Sequence, residues 1–346
     1  MLRFRFRGYT IFLGGLLGTL AAVAHGQGVG LQREVPLQGR ILVVAEDGSG
    51  QYTSIQQAIE AAQPGDVIRI KAGAYPEQVT IHSKDRLRIV GDGSDKVAIL
   101  GRDLVGSFHI GKWPYGASNI EVSGLAIHEH GGLAMGMFNS TGIAVRDVAI
   151  RGKLFGQAVR GVRLERCELG GSETSGVQLA DVQAVLVENV IHDNDHGVTV
   201  AGRSDVRLER NVITRSLFEG VVVTDQSRAV LVSNTIVANG GGVAFLSTSQ
   251  GEVTGNIIGF NTSGIIVAET ARVDLSFNAV YNEVDYLRAG SPPTPAADLK
   301  AATDVRADPR FVNLRDGDFR LRPDSTLQKR GAFAYLGALP PVGDRP

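Results

Sequence analysis

Apolar residues in this chain fall into two columns that return about every 22 residues. The segments VENVI, ERNVI, VSNTI, TGNII and SFNAV centre on Asn189, Asn211, Asn234, Asn256 and Asn278, at steps of 22, 23, 22 and 22. Leu164, Leu186, Leu208, Leu231, Val253 and Leu275 mark a position near the start of each repeat, and Leu169, Ile191, Ile213, Ile236, Ile258 and Val280 follow the asparagine position. Read backwards, the asparagine column continues through Cys167 to Asp147 and Gly124. A second column starts at Gly176, Gly197, Gly220, Gly242 and Gly264, each followed by Val or Ile. The short runs VTV, VVV and IIV alternate with the period of a strand and are bounded by Gly and Asn. Such strands cannot bury an inner face alone, whereas stacked coils bury a continuous apolar column. A repeat of this length holds three short strands and three turns, with coils spaced by roughly 4.8 Å. The pattern predicts an all-β solenoid, a single right-handed parallel β-helix, with the asparagines stacked inward as a ladder. A leucine-rich solenoid would need a leucine consensus and a helical side, which these Gly-rich polar turns do not supply.

The ends read differently. Residues 53–63 form an amphipathic pattern with Ile55, Ala58, Ile59 and Ala62 on one face, a cap at Thr53 or Ser54, and a stop at Pro64-Gly65. This predicts a helix that covers the first coil. Strands are expected at 67–71, 78–81, 87–90 and 97–100. The β-helix is expected over 38–282, a Pro-rich linker over 283–304, and a C-terminal cap over 305–346. At the N-terminus, Arg3, Arg5 and Arg7 precede an apolar run to Ala22, and Ala22-Val23-Ala24 fits signal-peptidase cleavage. That run is shorter than the roughly 20 residues that span a bilayer. A signal peptide over 1–24, export to the periplasm or beyond, and no lasting membrane anchor are expected.

Composition sharpens this picture. Forty-four glycines and only 6% aromatic residues suit short strands and tight turns. Residues 1–24 contain three arginines and no acids, so their removal takes the net charge from −1 to −4. A mildly acidic chain without a basic stripe argues against nucleic acid as partner. The lone Cys167 can form no internal disulfide. A monomer held by packing is expected.

Candidate chemistry sits in the turn between the two apolar columns. Coil by coil it carries His128-Glu129-His130, Arg151-Gly152-Lys153, Glu173, His192-Asp193-Asn194-Asp195-His196, Arg215 with Glu219, then Asn239 and Asn261. Stacking turns these into one polar stripe. Removing the C5 proton of a uronate requires a neutralised carboxylate and a base. His192, His196, Lys153 and Arg215 are the candidate catalytic groups. Arg151, His130, Trp113 and Tyr115 are candidate substrate contacts, the two aromatics as a sugar-stacking platform. Glu173, Asp193, Asp195 and Glu219 offer oxygen ligands for Ca²⁺. A transition-metal set from His192, Asp193 and His196 is the weaker alternative. Arg163, Glu165, Arg166, Glu188, Arg207, Glu209 and Arg210 read as ion pairs on the outer face that also discourage sheet aggregation.

Residues 43–81, VVAEDGSGQYTSIQQAIEAAQPGDVIRIKAGAYPEQVTI, resemble the opening coil of pectin methylesterases and other pectate-lyase-like β-helix proteins. Residues 308–325 and Gly331-Ala-Phe-Ala-Tyr335 resemble the tail of bacterial exported β-helix proteins. Gln157-Ala158-Val159 and Cys167 are similar to the esterase family's Gln-Ala-Val segment and a cysteine that often follows it. The Gln-Asp-Thr-Leu and Asp-Phe-Ile-Phe-Gly segments that carry the esterase aspartates are not found, so pectin methylesterase activity is not expected. Nor is the Asp-Pro-His motif of mannuronan epimerases. The resemblance implies a carbohydrate-directed β-helix. Three functions follow as expectations: a lyase or C5-epimerase acting on acidic polysaccharide, a non-catalytic glycan-binding or scaffolding module, and a periplasmic metal-delivery protein.

Overall fold

The computed structural model describes residues 39–101 and 106–343, together with the backbone of two antiparallel strands, Leu2–Phe6 and Tyr9–Leu13. The side chain of His130 lies outside this description, as does the expected signal peptide apart from those two strands. Among the described residues no helix is long and apolar enough to cross a membrane.

The alternation of the repeats builds a right-handed parallel β-helix with three faces. The first face has eleven parallel strands, from Ile41–Val44 to Arg272–Ser276. The second is made mostly of three-residue strands, among them Glu168–Gly170, Val190–His192 and Val212–Thr214, and ends at Ala279–Tyr281. The third runs from Val79–Ile81 to Val284–Arg288. Leu164, Leu186, Leu208, Leu231, Val253 and Leu275 are paired in register along the first face. Nearly all of them are fully buried, as are Leu169, Ile191, Ile213, Ile236, Ile258 and Val280 on the second face. Both apolar columns of the sequence therefore line one core.

The corner between the first and second faces has a two-residue rule. One residue adopts left-handed backbone and points outward: Arg166, Glu188, Arg210, Ser233 or Phe277, with φ between 52° and 56°. The next points inward and carries the ladder: Cys167, Asn189, Asn211, Asn234, Asn256, Asn278. Each asparagine Oδ1 accepts the backbone N–H of the coil before it, as at 2.9 Å from Cys167 and 3.0 Å from Asn189. Each Nδ2 donates to the next Oδ1 and to a Leu or Val carbonyl of the preceding strand. The predicted register holds from Cys167 onward. Upstream it is one residue out: Asp147 and Gly124 occupy the left-handed column (φ 54° and 65°), because glycine or a short acid tolerates that backbone, and Val148 fills the ladder position.

The capping helix is present, over Ile55–Ala61, with Ser54 as N-cap and Ile55, Ala58 and Ile59 buried against the first coil. The Glu77 carboxylate accepts from the N–H of Ile55 (2.7 Å) and Gln56 (3.1 Å), a negative charge placed at the positive end of the helix. The expected boundary at 282 falls one strand early, since Val284–Arg288 still pairs in parallel with Ser263–Val267. Past it, Val305 bridges Ala279, and Asp304 closes the ladder by accepting from Asn278 N and Nδ2 at 2.8 and 3.1 Å. The C-terminal segment then makes two hairpins, Phe311–Asn313 with Asp318–Leu321 and Gln328–Arg330 with Phe333–Tyr335. Phe311, Phe319, Leu321, Leu327 and Leu336 lie against the outward side chains of Val212, Val237, Ile257 and Ala279. The segment thus sheathes the later coils of the second face as well as ending the helix. On the first face the expected cross-strand pairing occurs at Arg210–Glu188, and Arg166 pairs across coils with Asp147, which was not in the expected set; Arg163–Glu165 and Arg207–Glu209 pair within their own strands instead.

Candidate functional site

The corner between the second and third faces repeats the two-residue rule. Gly171, Asp193, Arg215, Ala238 and Phe260 form the outward, left-handed column, which Tyr281 continues without left-handed backbone, and Ser172, Asn194, Ser216, Asn239, Asn261 and Asn282 form the inward one. Asn239 and Asn261, expected in the exposed stripe, are instead buried: Asn239 donates to Asn261 Oδ1 and Asn261 to Asn282 Oδ1, at 3.2 and 2.8 Å from Nδ2. This second ladder breaks at Ser216. A serine hydroxyl is too short to replace a carboxamide, and neither Asn194 Nδ2 nor Ser216 Oγ finds a hydrogen-bond partner, although both residues are buried.

The break coincides with a chain of charges on the outer side of the corner. Arg151 reaches Glu168 (2.6 Å), His192 Nε2 faces Glu168 Oε1 (3.3 Å), His192 Nδ1 faces Asp193 Oδ2 (2.7 Å), and Arg215 holds Asp193 through Nε and Nη2 (both 2.9 Å). Neutral imidazole can donate to only one of the two carboxylates, whereas a second proton lets it donate to both. Strand pairing explains how His192 gets there. Gly170 lies beneath it in register, and a Cβ at Gly170 would stand 2.7 Å from His192 Cε1, so the bare backbone makes room for the ring. Burial pushes the Glu168 carboxyl up, but His192 and Arg151 outweigh it and hold it below its ordinary value of 4.5. Burial acts in the same direction on Asp193, and His192 with Arg215 hold it far below the usual carboxylate range. Glu168 is absent from the sequence-based set; its only signal is that it starts the strand whose Gly170 pairs with His192.

The remaining expected site residues divide between this corner and the third face. His196 begins a third-face strand opposite Ser175 and stacks on Phe218 at 5.1 Å between ring centroids. Its Nδ1 lies 3.2 Å from Glu219 Oε2, close enough for an ion pair but not aligned as a hydrogen bond. Lys153 stands half-buried in the strand Ala149–Gln157, which runs from the second face to the third without a break. Its ammonium lies 5.2 Å from the Phe155 ring centroid and makes no ion pair among the described residues. Burial lowers its pKa from the ordinary 10.5. Trp113 and Tyr115 are exposed, 73% and 62%. Trp113 edges a cleft of about 480 Å³ lined by Gln78, Thr80, His82, His109, Lys112 and Phe138. Phe138 and Phe155 meet edge to face at 5.9 Å, which links this cleft to Lys153.

The expected calcium ligands do not converge. Glu173 is exposed and Asp193 is committed to His192 and Arg215, so a shared position among Glu173, Asp193, Asp195 and Glu219 is not formed. Among the described residues no three His, Cys, Asp or Glu side chains are grouped to hold a metal. The set His192, Asp193 and His196 fails for the same reason, since both nitrogens of His192 face carboxylates.

Fold and corner together define a parallel β-helix with one chemically differentiated edge. Comparison with known proteins agrees on the fold. The model for the right handed beta helix region matches residues 115–280, and that for pectinesterase matches residues 41–154. The chain is 48% identical over 67 residues to the probable pectinesterase/pectinesterase inhibitor 6 of Arabidopsis thaliana, covering 17% of this chain and 12% of that protein. It is 44% identical over 69 residues to pectinesterase 2 of Citrus sinensis, covering 19% and 13%. The match therefore spans about an eighth of those relatives. Among solved structures, the A-module of the Azotobacter vinelandii mannuronan C-5 epimerase AlgE6 is similar with a TM-score of 0.56 and 17% identity, over 68% of this chain and 74% of that one. That likeness concerns the fold.

Proposed function

We propose that this β-helix acts on acidic polysaccharide, in the manner of a uronate lyase or C5-epimerase, at the edge between the Lys153 and His196 coils. The observation that carries this reading is the environment of Lys153: half-buried, without an ion-pair partner among the described residues, lowered in pKa, and set against Phe155, which joins it through Phe138 to the aromatic cleft at Trp113. A lysine so placed is a stronger candidate base near neutral pH than an ordinary one. It would take the C5 proton. In elimination the C4–O bond then breaks, leaving a C4–C5 double bond and a leaving oxygen that takes up a proton; in epimerisation a proton returns to C5 from the opposite face. His196, two coils away at roughly 10 Å, is another half-exposed titratable group on this edge. His192, Asp193, Glu168, Arg151 and Arg215 are spent on one another, so their part is to hold the corner rigid and not to touch substrate.

The test is incubation with mannuronan, polygalacturonate and methylated pectin. Expected is an ultraviolet-absorbing unsaturated product or an altered uronate composition, lowered about 100-fold or more in Lys153→Met with unchanged melting. Methanol release from methylated pectin would favour an esterase. Retention on an acidic-glycan column without turnover would favour a binding module, and neither retention nor turnover would end the carbohydrate reading. Calcium addition and chelation in the same assay test whether Glu173, Asp195 or Glu219 holds an ion jointly with substrate carboxylates.

A further inference from the structure

The outward column of the second corner does not end at Arg215. Past Ala238 it continues with Phe260 and Tyr281, both half-exposed and in contact edge to face at 5.5 Å. Beside them lies a cleft of about 580 Å³ lined by Phe260, Tyr281, Thr262, Glu283 and Arg306 among others. Two separate parts of the chain build it. The β-helix supplies the aromatic pair, and the segment after Asp304 supplies Arg306, fixed because Val305 is hydrogen-bonded into the last strand of the second face at 2.8 and 2.9 Å. The guanidinium lies over the Tyr281 ring, 5.3 Å from its centroid, pairs with Asp285, and donates to the Asn282 carbonyl at 3.2 Å, which holds it there.

We infer that this cleft is a distal subsite for a pyranose unit of the same extended glycan, with one ring of the edge-to-face pair Phe260 and Tyr281 stacking on the sugar, the other walling it, and Arg306 and Glu283 meeting its hydroxyls. Three features favour a sugar. Aromatic faces edged by a cation and a carboxylate match a ring that is apolar on its faces and polar at its rim. The cleft stands on the same edge as the proposed site, three to four coils or roughly 14–19 Å from His196 and five to six coils or roughly 24–29 Å from Lys153, so an extended polymer lying on the edge reaches both places. Between them, Leu217 and Phe218 are exposed at 65% and 50% and continue the apolar track. The inference rests on the proposed function and specifies how much of the polymer is held.

The experiment compares uronate trimers and octamers by calorimetry against the full chain. Wild type should bind the octamer about tenfold more tightly than the trimer. Tyr281→Ala and Arg306→Gln should remove that gain and leave trimer affinity unchanged. Because Phe260 and Tyr281 adjoin the C-terminal segment and the Asp285 carboxylate that pairs with Arg306 is only 12% exposed, melting is followed for both variants, and Arg306→Lys, which keeps a charge beside Asp285 but loses the planar fork, serves as the variant whose melting should stay nearest the wild-type value. Octamer affinity unaffected in both variants, or no gain with length in wild type, overturns the distal subsite while trimer binding keeps the proposed function. Failure of wild type to bind either oligomer overturns both.

Discussion

The two asparagine ladders obey one rule and serve different ends. At the corner of the first and second faces every rung from Cys167 to Asp304 is filled, and the outward residues are chiefly surface ion pairs. At the corner of the second and third faces the ladder is interrupted at Ser216, and the outward residues carry the Asp193–Arg215 charges and the Phe260–Tyr281 pair. Where the repeat is perfect the molecule is held together; where it departs from the repeat, side chains of unlike chemistry converge. Local departures from the consistent pattern are where function is expected in a repetitive fold.

The comparison is open to attack at both ladders. The largest effect should come from Asn234→Leu. It removes the acceptor of Asn211 N and Nδ2 and strands buried donors with no water to replace it, costing about 3 kcal/mol or more in chemical denaturation. A loss no larger than that of an exposed asparagine would show that the unbroken ladder does not hold the fold.

Next in size is Glu168→Gln, which leaves His192 and Arg151 without their shared charge and should cost about 2 kcal/mol near neutral pH. The carboxyls of Glu168 and Asp193 titrate in the folded chain below their ordinary values of 4.5 and 3.8. Their contribution is complete above those values and is lost as pH falls through the depressed folded ones. Wild-type stability should therefore fall below roughly pH 4, and the variant should show a flatter acid limb. Parallel acid limbs would mean that the charge chain is not coupled to folding.

How much of this was legible in the sequence follows from what a repeat encodes. Spacing alone located the Asn189 to Asn278 ladder, because an inward rung recurs at every coil. It also placed His192, Asp193 and Arg215 on one edge. Spacing did not separate inward from outward within a turn, which is why Asn239 and Asn261 were expected in solvent and Asp147 was set one residue off. The sign of φ decides that question, and sequence carries it only weakly for non-glycine residues. Glu168 was hidden because its role depends on His192 of the next strand, a neighbour in space and not a motif partner, and on the missing side chain of Gly170 that admits the ring.

The smallest effect should be a gain. Ser216→Asn restores the missing rung between Asn194 and Asn239 and should stabilise the chain by about 1 kcal/mol in the same denaturation assay. No gain would mean that the interruption is already satisfied by other means.

The sheath over the second face has a kinetic meaning. Every rung of the β-helix joins residues about one coil apart, so the coils can zip up by short loop closures. The sheath is different: Ala338 N donates to Thr235 Oγ1 across a separation of 103 residues. Such a contact can form only after the coils that present Val212, Val237 and Ile257 have been laid down. The C-terminal segment therefore behaves as a latch that closes last and opens first. Because that segment also delivers Arg306, its release would dismantle one wall of the distal cleft while leaving the coils beneath it wound.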